Sequence, residues 1–377
     1  MSTLARLPSH YEDIRAEAQE VAERLSPLSV EADNANEVHP GVLEVLRSSD
    51  LFDLTVPAAY GGRFDRVDPL AVCVVREVLM GECSHADSLF ALQGIGSFAV
   101  SHAGTDDQRT RWLPAVAAGS VLAALALTEP VAGSDLKGIT TTATASGDGV
   151  VLSGEKAFIS NAGAAAFYTT LAREGDGLSL FLVPADAGGV TTEPAPELGA
   201  PHVLGTVRLD RVELPAAARI GPPGDGLDAV LATLAVFRVS VAGAAVGLAG
   251  TAIREATRHA RTREQFGRPL VRLGPVAALL ADSWADVEST RLLAYRAAEL
   301  AAVDPRANLE HSSLAKLAAT EACCRVVDRC VQVMGRWGLV RDSRIERCYR
   351  QARPMRIYEG ASEVLRLGIA RHLATVV

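Results

Sequence analysis

Four short stretches carry residue types that could do chemistry. Residues 127–135, Leu-Thr-Glu-Pro-Val-Ala-Gly-Ser-Asp, form a polar, glycine-bearing segment directly after the apolar run VLAALA. Main-chain N–H groups there, with the Thr128 and Ser134 hydroxyls, suit an aromatic heterocycle that offers carbonyl and ring-nitrogen acceptors. A plain strand-to-loop transition has the same composition. Residues 156–161, Lys-Ala-Phe-Ile-Ser-Asn, alternate an aromatic with a hydroxyl residue. On a strand, Phe158 and Ser160 project to one face, where they would flank a flat ligand; core packing explains Phe158 equally well. Residues 261–269, Arg-Thr-Arg-Glu-Gln-Phe-Gly-Arg-Pro, end a helical run before a proline. Arginine forks match phosphate oxygens and Phe266 can stack on a ring, although a solvated helix C-terminus also collects cations. In residues 357–363, Ile-Tyr-Glu-Gly-Ala-Ser-Glu, the carboxyl of Glu359 lies between a tyrosine and a glycine at a break between helical stretches. Desolvation there would lift its pKa toward the range of a general base; a lone surface glutamate is the alternative.

The elements that must position these stretches are legible from periodicity. From Tyr11 to about Ala118 apolar residues recur at helical spacing, as in Ile14, Ala18, Val21 and Leu25, with a break at Pro57–Gly62. From about Val121, short Thr- and Val-rich runs alternate with Gly and Asp, and Gly147-Asp148-Gly149 and Gly175-Asp176-Gly177 are hairpin signals. After Gly221-Pro222-Pro223-Gly224 the helical pattern returns and persists, broken at Arg268–Pro275, near Asp304-Pro305 and near Trp337-Gly338. The expected architecture is α+β in three parts: an all-α domain over residues 1–120, a central antiparallel domain over 121–222 and a helical bundle over 223–377. No dinucleotide βαβ unit, internal repeat or low-complexity segment is visible.

Composition narrows the function classes. The 377 residues are 49% hydrophobic and 22% charged, which suits a large soluble core and excludes disorder or a collagen-like repeat for the whole chain. A net charge of -8 gives no field to attract nucleic acid or anionic lipid, so neither partner is expected. The six cysteines show no paired spacing with histidine, so no metal is expected and a reduced cytoplasm is the simplest compartment. The N-terminal residues carry charges every few positions where an export signal needs an apolar stretch. The uncharged stretch 239–253 is shorter than the roughly 20 residues of a bilayer span and reads as a buried, closely packed helix.

Taken in order, LTEPVAGSD, KAFISNA, RTREQFGRPL, QVMGRWG at Gln332–Gly338 and RIYEGASEVLR resemble the FAD-dependent acyl-CoA dehydrogenase family over nearly the whole chain. The resemblance implies an N-terminal helical domain, a central β-barrel domain and a C-terminal four-helix bundle, assembled as a homotetramer or homodimer with one FAD per subunit. It implies that Glu359 removes the pro-R α-proton of an acyl thioester while the β-hydrogen leaves as hydride to flavin N5, giving an enoyl thioester. The Glu359 backbone N–H and a flavin hydroxyl would stabilise the developing enolate oxygen. Flavin contacts are implied for Thr128 and the main chain of Leu125 and Leu127, for Phe158 flanking the ring and for Ser160 donating toward N5. Arg263 and Phe266 would meet the pyrophosphate and adenine, joined by Gln332 and Gly335 of the partner subunit. Ser134, Arg238, Tyr358 and Gly360 are implied at the substrate end. Some relatives carry the base just before the position of Arg238; Phe237 stands there, so Glu359 is the implied base.

Several positions depart from the pattern of that family. Phe158 and Ser160 stand for a Trp and a Thr, Arg336 for a second glycine, and Ala361 and Glu363 for a Thr and a Gln that touch FAD. The loop Ala172–Gly177 is short where relatives hold the nucleotide end of CoA, and the usual Arg and Ser are missing around Pro201-His202-Val203. The acyl carrier is therefore either CoA or an acyl carrier protein, with electron-transfer flavoprotein or another acceptor taking the electrons. Alternatives are a flavin oxidase or monooxygenase on the same fold, and a flavin-free binding homologue.

Overall fold

The computed structural model describes residues 4–376. Six helices come first: α1 (Ser9–Leu25), α2 (Ser29–Ala32), α3 (Pro40–Arg47), α4 (Pro69–Glu82), α5 (Ser84–Ala103) and α6 (Asp106–Ala117). Eight strands follow: β1 (Ala123–Ala126), β2 (Thr142–Ser146), β3 (Gly149–Ser160), β4 (Phe167–Glu174), β5 (Gly177–Pro184), β6 (Val190–Pro194), β7 (Leu204–Pro215) and β8 (Arg219–Ile220). The chain then runs through α7 (Gly226–Thr262), the small strands β9 (Glu264–Gln265) and β10 (Arg268–Pro269), α8 (Gly274–Val303), α9 (Leu309–Met334), α10 (Arg344–Ala352) and α11 (Ser362–Val376). Helix, strand, helix is thus the order along the chain.

Two compact units result. One comprises the described residues up to Asp33, Pro69–Asp87 and everything from Arg238 on; the other comprises Asn34–Asp68 and Ser88–Phe237. The first is helical: α1 packs on α4, α4 on α8, α8 along α9, and α9 receives α10 and α11. Its core is unusually rich in small residues, with Ala242, Ala245, Ala249 and Ala252 meeting Cys323, Val326 and Val327. Small residues let backbones approach closely. A Cβ on Gly247 of α7 would lie 1.9 Å from the Glu77 carbonyl oxygen, and one on Gly243 would lie 2.4 Å from that of Cys73. Helix α7 is long and apolar enough to cross a membrane by length and composition, yet 89% of its most apolar stretch is buried within the protein. Residues 239–253 are the buried, closely packed segment expected.

The second unit is built on a sheet in the order β6-β7-β3-β2-β4-β5-β8, with β1 also on β4. Both expected hairpins form. Gly147-Asp148 joins β2 to β3, with Ser146 opposite Gly149, and Gly175-Asp176 joins β4 to β5, with Glu174 opposite Gly177. Gly147 and Gly175 take φ of 55° and 58° at the first loop position, which suits glycine. The helical, β and helical class is as expected, but the antiparallel barrel expected for the centre is not closed: the sheet is open, its ends β6 and β8 pairing only inward among the described residues. The physical reason lies at β4. One edge of that strand is shared by two parallel partners, β1 along Phe167–Thr170 and β2 at the single pair Thr142 and Arg173. Two antiparallel leaves therefore meet at one residue pair, without the continuous staggered pairing that closure needs. Ala126, Leu152, Tyr168, Phe181 and Val207 fill the space they enclose.

Candidate active site

Chemistry-bearing residues gather in two groups, one in each unit. In the helical unit, a turn of 3-10 helix at Pro354–Arg356 leads into Tyr358, Glu359 and Gly360 before α11 begins. Glu359 and Gly360 have φ of 52° and 111°, so two successive residues adopt backbone that L side chains disfavour. Such strain persists only where the surroundings hold it. Arg238 donates from Nε to the Glu359 carbonyl at 2.8 Å and from Nη1 to Ser313 at 3.2 Å, while Lys316 donates from Nζ to the Gly360 carbonyl at 2.7 Å. A half-buried arginine on α7 and a buried lysine on α9 therefore pin both carbonyls of the turn.

The Glu359 side chain is left unpaired. Its Oε2 is buried with no hydrogen-bond partner, and its backbone N–H makes no hydrogen bond among the described residues. Burial lifts the carboxyl above its ordinary 4.5, partly offset by the charges of Arg76, Lys316 and Arg238. Arg76 is itself neutralised: it grips Asp87 in two-pronged fashion at 2.9 and 2.8 Å and donates to Ser240 at 2.9 Å. Burial pulls Lys316 down to about 8, and pushes the neighbouring Tyr358 hydroxyl up. A carboxylate with no protein partner, raised in basicity, beside an unspent N–H donor is equipped to take a proton from a carbon and to steady the oxygen next to it.

In the sheet unit, the loop of residues 127–141 leaves where β1 gives way to β2 along β4. Glu129 ties its ends together, accepting from the Thr140 N–H at 2.6 Å, the Thr140 hydroxyl at 2.8 Å and the Thr141 N–H at 2.9 Å. Lys156 of β3 reaches across to Glu129 at 2.8 Å and to the Leu127 carbonyl at 3.1 Å, with both charged side chains wholly buried. Ala157 N–H closes on the Thr128 carbonyl at 2.9 Å. This fixes Leu127 and Thr128 beside β3, while Leu125 is held on β1 opposite Thr169 of β4. Immediately after Lys156 the β3–β7 register slips, and Phe158 takes φ of 54° in the irregularity. The residue is 51% exposed, so of the two readings of Phe158 core packing gives way to a side chain presented at the surface of the unit. Ser160 contacts His202 Nε2 at 3.0 Å, and Ser88 contacts His202 Nδ1 at 3.3 Å. An exposed flat ring, a hydroxyl and an anchored loop form an edge that fits a flat heterocycle.

The remaining expected site residues are solvent-facing. Arg263 follows α7, and Phe266 occupies the β9–β10 turn with φ of 54° and 90% of its surface exposed. Gln332 and Gly335 are exposed at the end of α9, and Ser134 is exposed on the 127–141 loop. Phe237, by contrast, is fully buried, its ring edge-on to Phe98 with centroids 6.0 Å apart. Sequence reasoning missed Lys156, Glu129, Lys316 and the Arg76–Asp87 pair, and noted His202 only as a departure. Charged residues inside strongly apolar runs were the available signal.

Comparison with known proteins identifies this arrangement. Family models for the acyl-CoA dehydrogenase N-terminal, middle and C-terminal domains match residues 8–120, 124–212 and 224–374. Cyclohexane-1-carbonyl-CoA dehydrogenase of Geobacter metallireducens is 33% identical over 361 residues, 94% of each chain. The mitochondrial short-chain specific acyl-CoA dehydrogenase of Bos taurus is 32% identical, covering 97% of this chain and 90% of its own. Among solved structures, butyryl-CoA dehydrogenase from Megasphaera elsdenii superposes with a TM-score of 0.93 at 27% identity, covering 99% of this chain and all of its own. Three domain matches in series and relatives alike almost from end to end agree with the unpaired glutamate and the presented ring: the chain belongs to the acyl-CoA dehydrogenase family, FAD-dependent oxidoreductases that act on CH–CH groups.

Proposed function

We propose that Glu359 is the base of an acyl thioester dehydrogenase whose acyl group is short or alicyclic. The observation that carries this is the buried, unpartnered Oε2 of Glu359 on a turn pinned by Arg238 and Lys316. FAD, when bound, accepts the hydride that leaves the β-carbon. Everything else falls to the protein. Ionised Glu359 takes the α-proton, the Glu359 N–H donates to the thioester oxygen as charge develops on it, and Arg238 holds the turn at its carbonyl. Tyr358 and Gly360 would line the thioester end of the helical unit, and Ser134 would serve the substrate from the sheet unit. On the sheet unit, Leu125, Leu127, Thr128, Phe158 and Ser160 would hold the flavin ring, Phe158 by stacking and Ser160 by a donated hydrogen bond. The acyl size is suggested by the names of two relatives, one short-chain and one alicyclic.

Arg263, Phe266, Gln332 and Gly335 serve the nucleotide end of FAD across a subunit boundary in a homotetramer or homodimer. The 90% exposure of Phe266 supports this, since an aromatic so presented lacks cover within its own chain. Six free cysteines support a reduced, cytoplasmic setting. CoA is the first carrier to test. The two-residue β4–β5 connection offers little to grip the nucleotide of CoA, which favours an acyl carrier protein as the second.

Anaerobic titration of the purified flavoprotein with short and alicyclic acyl-CoAs, and with the matching carrier-protein thioesters, tests both readings by bleaching of the flavin. Glu359→Gln should retain FAD and show no bleaching with any of them. Undiminished bleaching in that variant would remove Glu359 from the mechanism.

A further inference from the structure

Ser88, His202 and Ser160 form a chain of three polar side chains inside the sheet unit. Ser160 Oγ lies 3.0 Å from His202 Nε2, and Ser88 Oγ lies 3.3 Å from His202 Nδ1. Neither serine hydroxyl has another hydrogen-bond partner among the described residues. Burial pushes His202 down to about 4, so its ring is neutral at physiological pH and carries one N–H and one bare nitrogen. Two polarities are then possible. If Nε2 is bare, Ser160 gives its only proton to His202 and retains none for a ligand, while the Ser88 proton has no acceptor. If Nδ1 is bare, Ser88 donates to it, Nε2–H donates to Ser160 Oγ, and every proton in the chain has an acceptor except that of Ser160. Each polarity makes two hydrogen bonds and leaves one serine proton over, but only the second leaves it on Ser160, two residues from Phe158, where an acceptor on a bound ligand completes the chain.

We infer that His202 is a positioning residue for the cofactor: fixed by Ser88 as the Nε2–H tautomer, it donates to Ser160 and so turns the Ser160 hydroxyl into an obligate donor toward an acceptor on the flavin. This rests on the reading that Ser160 faces the flavin. The chain explains why a serine suffices there. A serine hydroxyl rotates freely, and a fixed donor behind its oxygen directs its proton outward. It also gives a role to His202, which stands where family resemblance leads one to expect other polar residues.

The tautomer is read directly by nitrogen NMR of histidine-labelled protein, with and without FAD, the His202 signal being identified by its loss in His202→Gln. The expected result is a protonated Nε2 and a bare Nδ1 in the FAD-bound protein, shifting toward the other tautomer in Ser88→Ala. A protonated Nδ1 in the unaltered FAD-bound protein would overturn the inference. FAD dissociation constants supply the second readout. Ser160→Ala should weaken FAD binding about tenfold, His202→Leu by a similar factor, and the double variant no further, because His202 acts through Ser160. His202→Gln, which keeps an N–H donor near the same place, should bind FAD within about twofold of the unaltered protein. Multiplying losses in the double variant would overturn the role of His202. A Ser160→Ala variant that binds FAD normally would instead overturn the underlying placement of Ser160, so the two failures are distinguishable.

Discussion

Lys316 donates from its buried ammonium to the carbonyl of Gly360 at 2.7 Å, one residue beyond the candidate base. The contact joins the middle of α9 to the strained turn, and with Arg238 it occupies both carbonyl oxygens of that turn. Peptide groups pinned by charge-assisted bonds do not reorient cheaply, so the Glu359 side chain and N–H keep a fixed relation to each other. The pin sits on rigid helices while the groups it positions sit on a loop.

Replacing Lys316 by Met should therefore lower kcat about tenfold with little change in KM, and destabilise the protein by about 1–3 kcal/mol through the unpaired Gly360 carbonyl. The pH dependence gives a separate check. Burial pulls Lys316 from an ordinary 10.5 to about 8. Between those values the unfolded chain holds a proton that the native state lacks, so this residue makes stability rise with pH. Urea unfolding from pH 7 to 10 should show the advantage of the unaltered protein over Lys316→Met growing with pH. A constant or shrinking gap would refute the burial of this charge.

The pair Arg76–Asp87 adjusts the basicity of Glu359 from within the helical unit. Burial raises the Glu359 carboxyl most, Arg76 lowers it and the Asp87 carboxylate adds a smaller rise. Asp87→Asn removes that smaller rise and leaves the lowering by Arg76 uncompensated, so the Glu359 pKa falls. Activity needs ionised Glu359, so kcat/KM rises with pH through this pKa, and the acid limb should move to lower pH in the variant. A move to higher pH would contradict the assignment of Glu359 as the base. Stability should drop by about 3–5 kcal/mol, because a buried guanidinium loses its partner.

How much of this was legible beforehand depends on how local the cause is. The two Gly-Asp hairpins, the helical runs and the four chemistry-bearing stretches are written in neighbouring residues, and each appears where its local signal lies. The open sheet is not. Whether β2 meets β4 at one pair or along its length is decided by β1, which competes for the same edge from 16 residues before Thr142 at its last residue, Ala126. The pairing of Lys156 with Glu129 was invisible for a similar reason, since 27 positions separate partners that meet only when β3 passes the loop. His202 shows the limit most plainly. Its neighbours Ser88 and Ser160 lie 114 and 42 positions away, and a lone histidine in a polar loop carries no local mark of the contact.

The buried pair Lys156–Glu129 should respond strongly to the loss of either charge. Burial alone would raise Glu129, but Lys156 and the Thr140 and Thr141 donors more than offset it and hold the carboxyl at about 2. Its stabilising effect is thus complete above an ordinary 4.5 and fades as pH falls toward about 2. Glu129→Gln leaves Lys156 unpaired and should cost about 3–5 kcal/mol at pH 7. The stability difference between variant and unaltered protein should narrow on acidification below 4.5, and purified Glu129→Gln should carry less FAD because the 127–141 loop loosens. A variant equal in stability and flavin content would show that the Thr bonds alone anchor the loop.

The exposed turn at Phe266 makes a prediction about assembly as well as affinity. Within its own chain the ring has almost no cover, and Arg263 and Gln332 are likewise exposed. If these residues grip FAD across a subunit boundary, cofactor retention must depend on protein concentration, because dilution separates the partner before it loosens the flavin. Phe266→Ala and Arg263→Ala should each weaken FAD binding about tenfold, the first by losing a stacking surface and the second by losing a phosphate partner. Flavin fluorescence during serial dilution, followed alongside sedimentation, should show release coinciding with dissociation of the oligomer, and at higher protein concentration in both variants. Release that is independent of protein concentration would place the whole FAD site within one chain and leave Phe266 without a part in it.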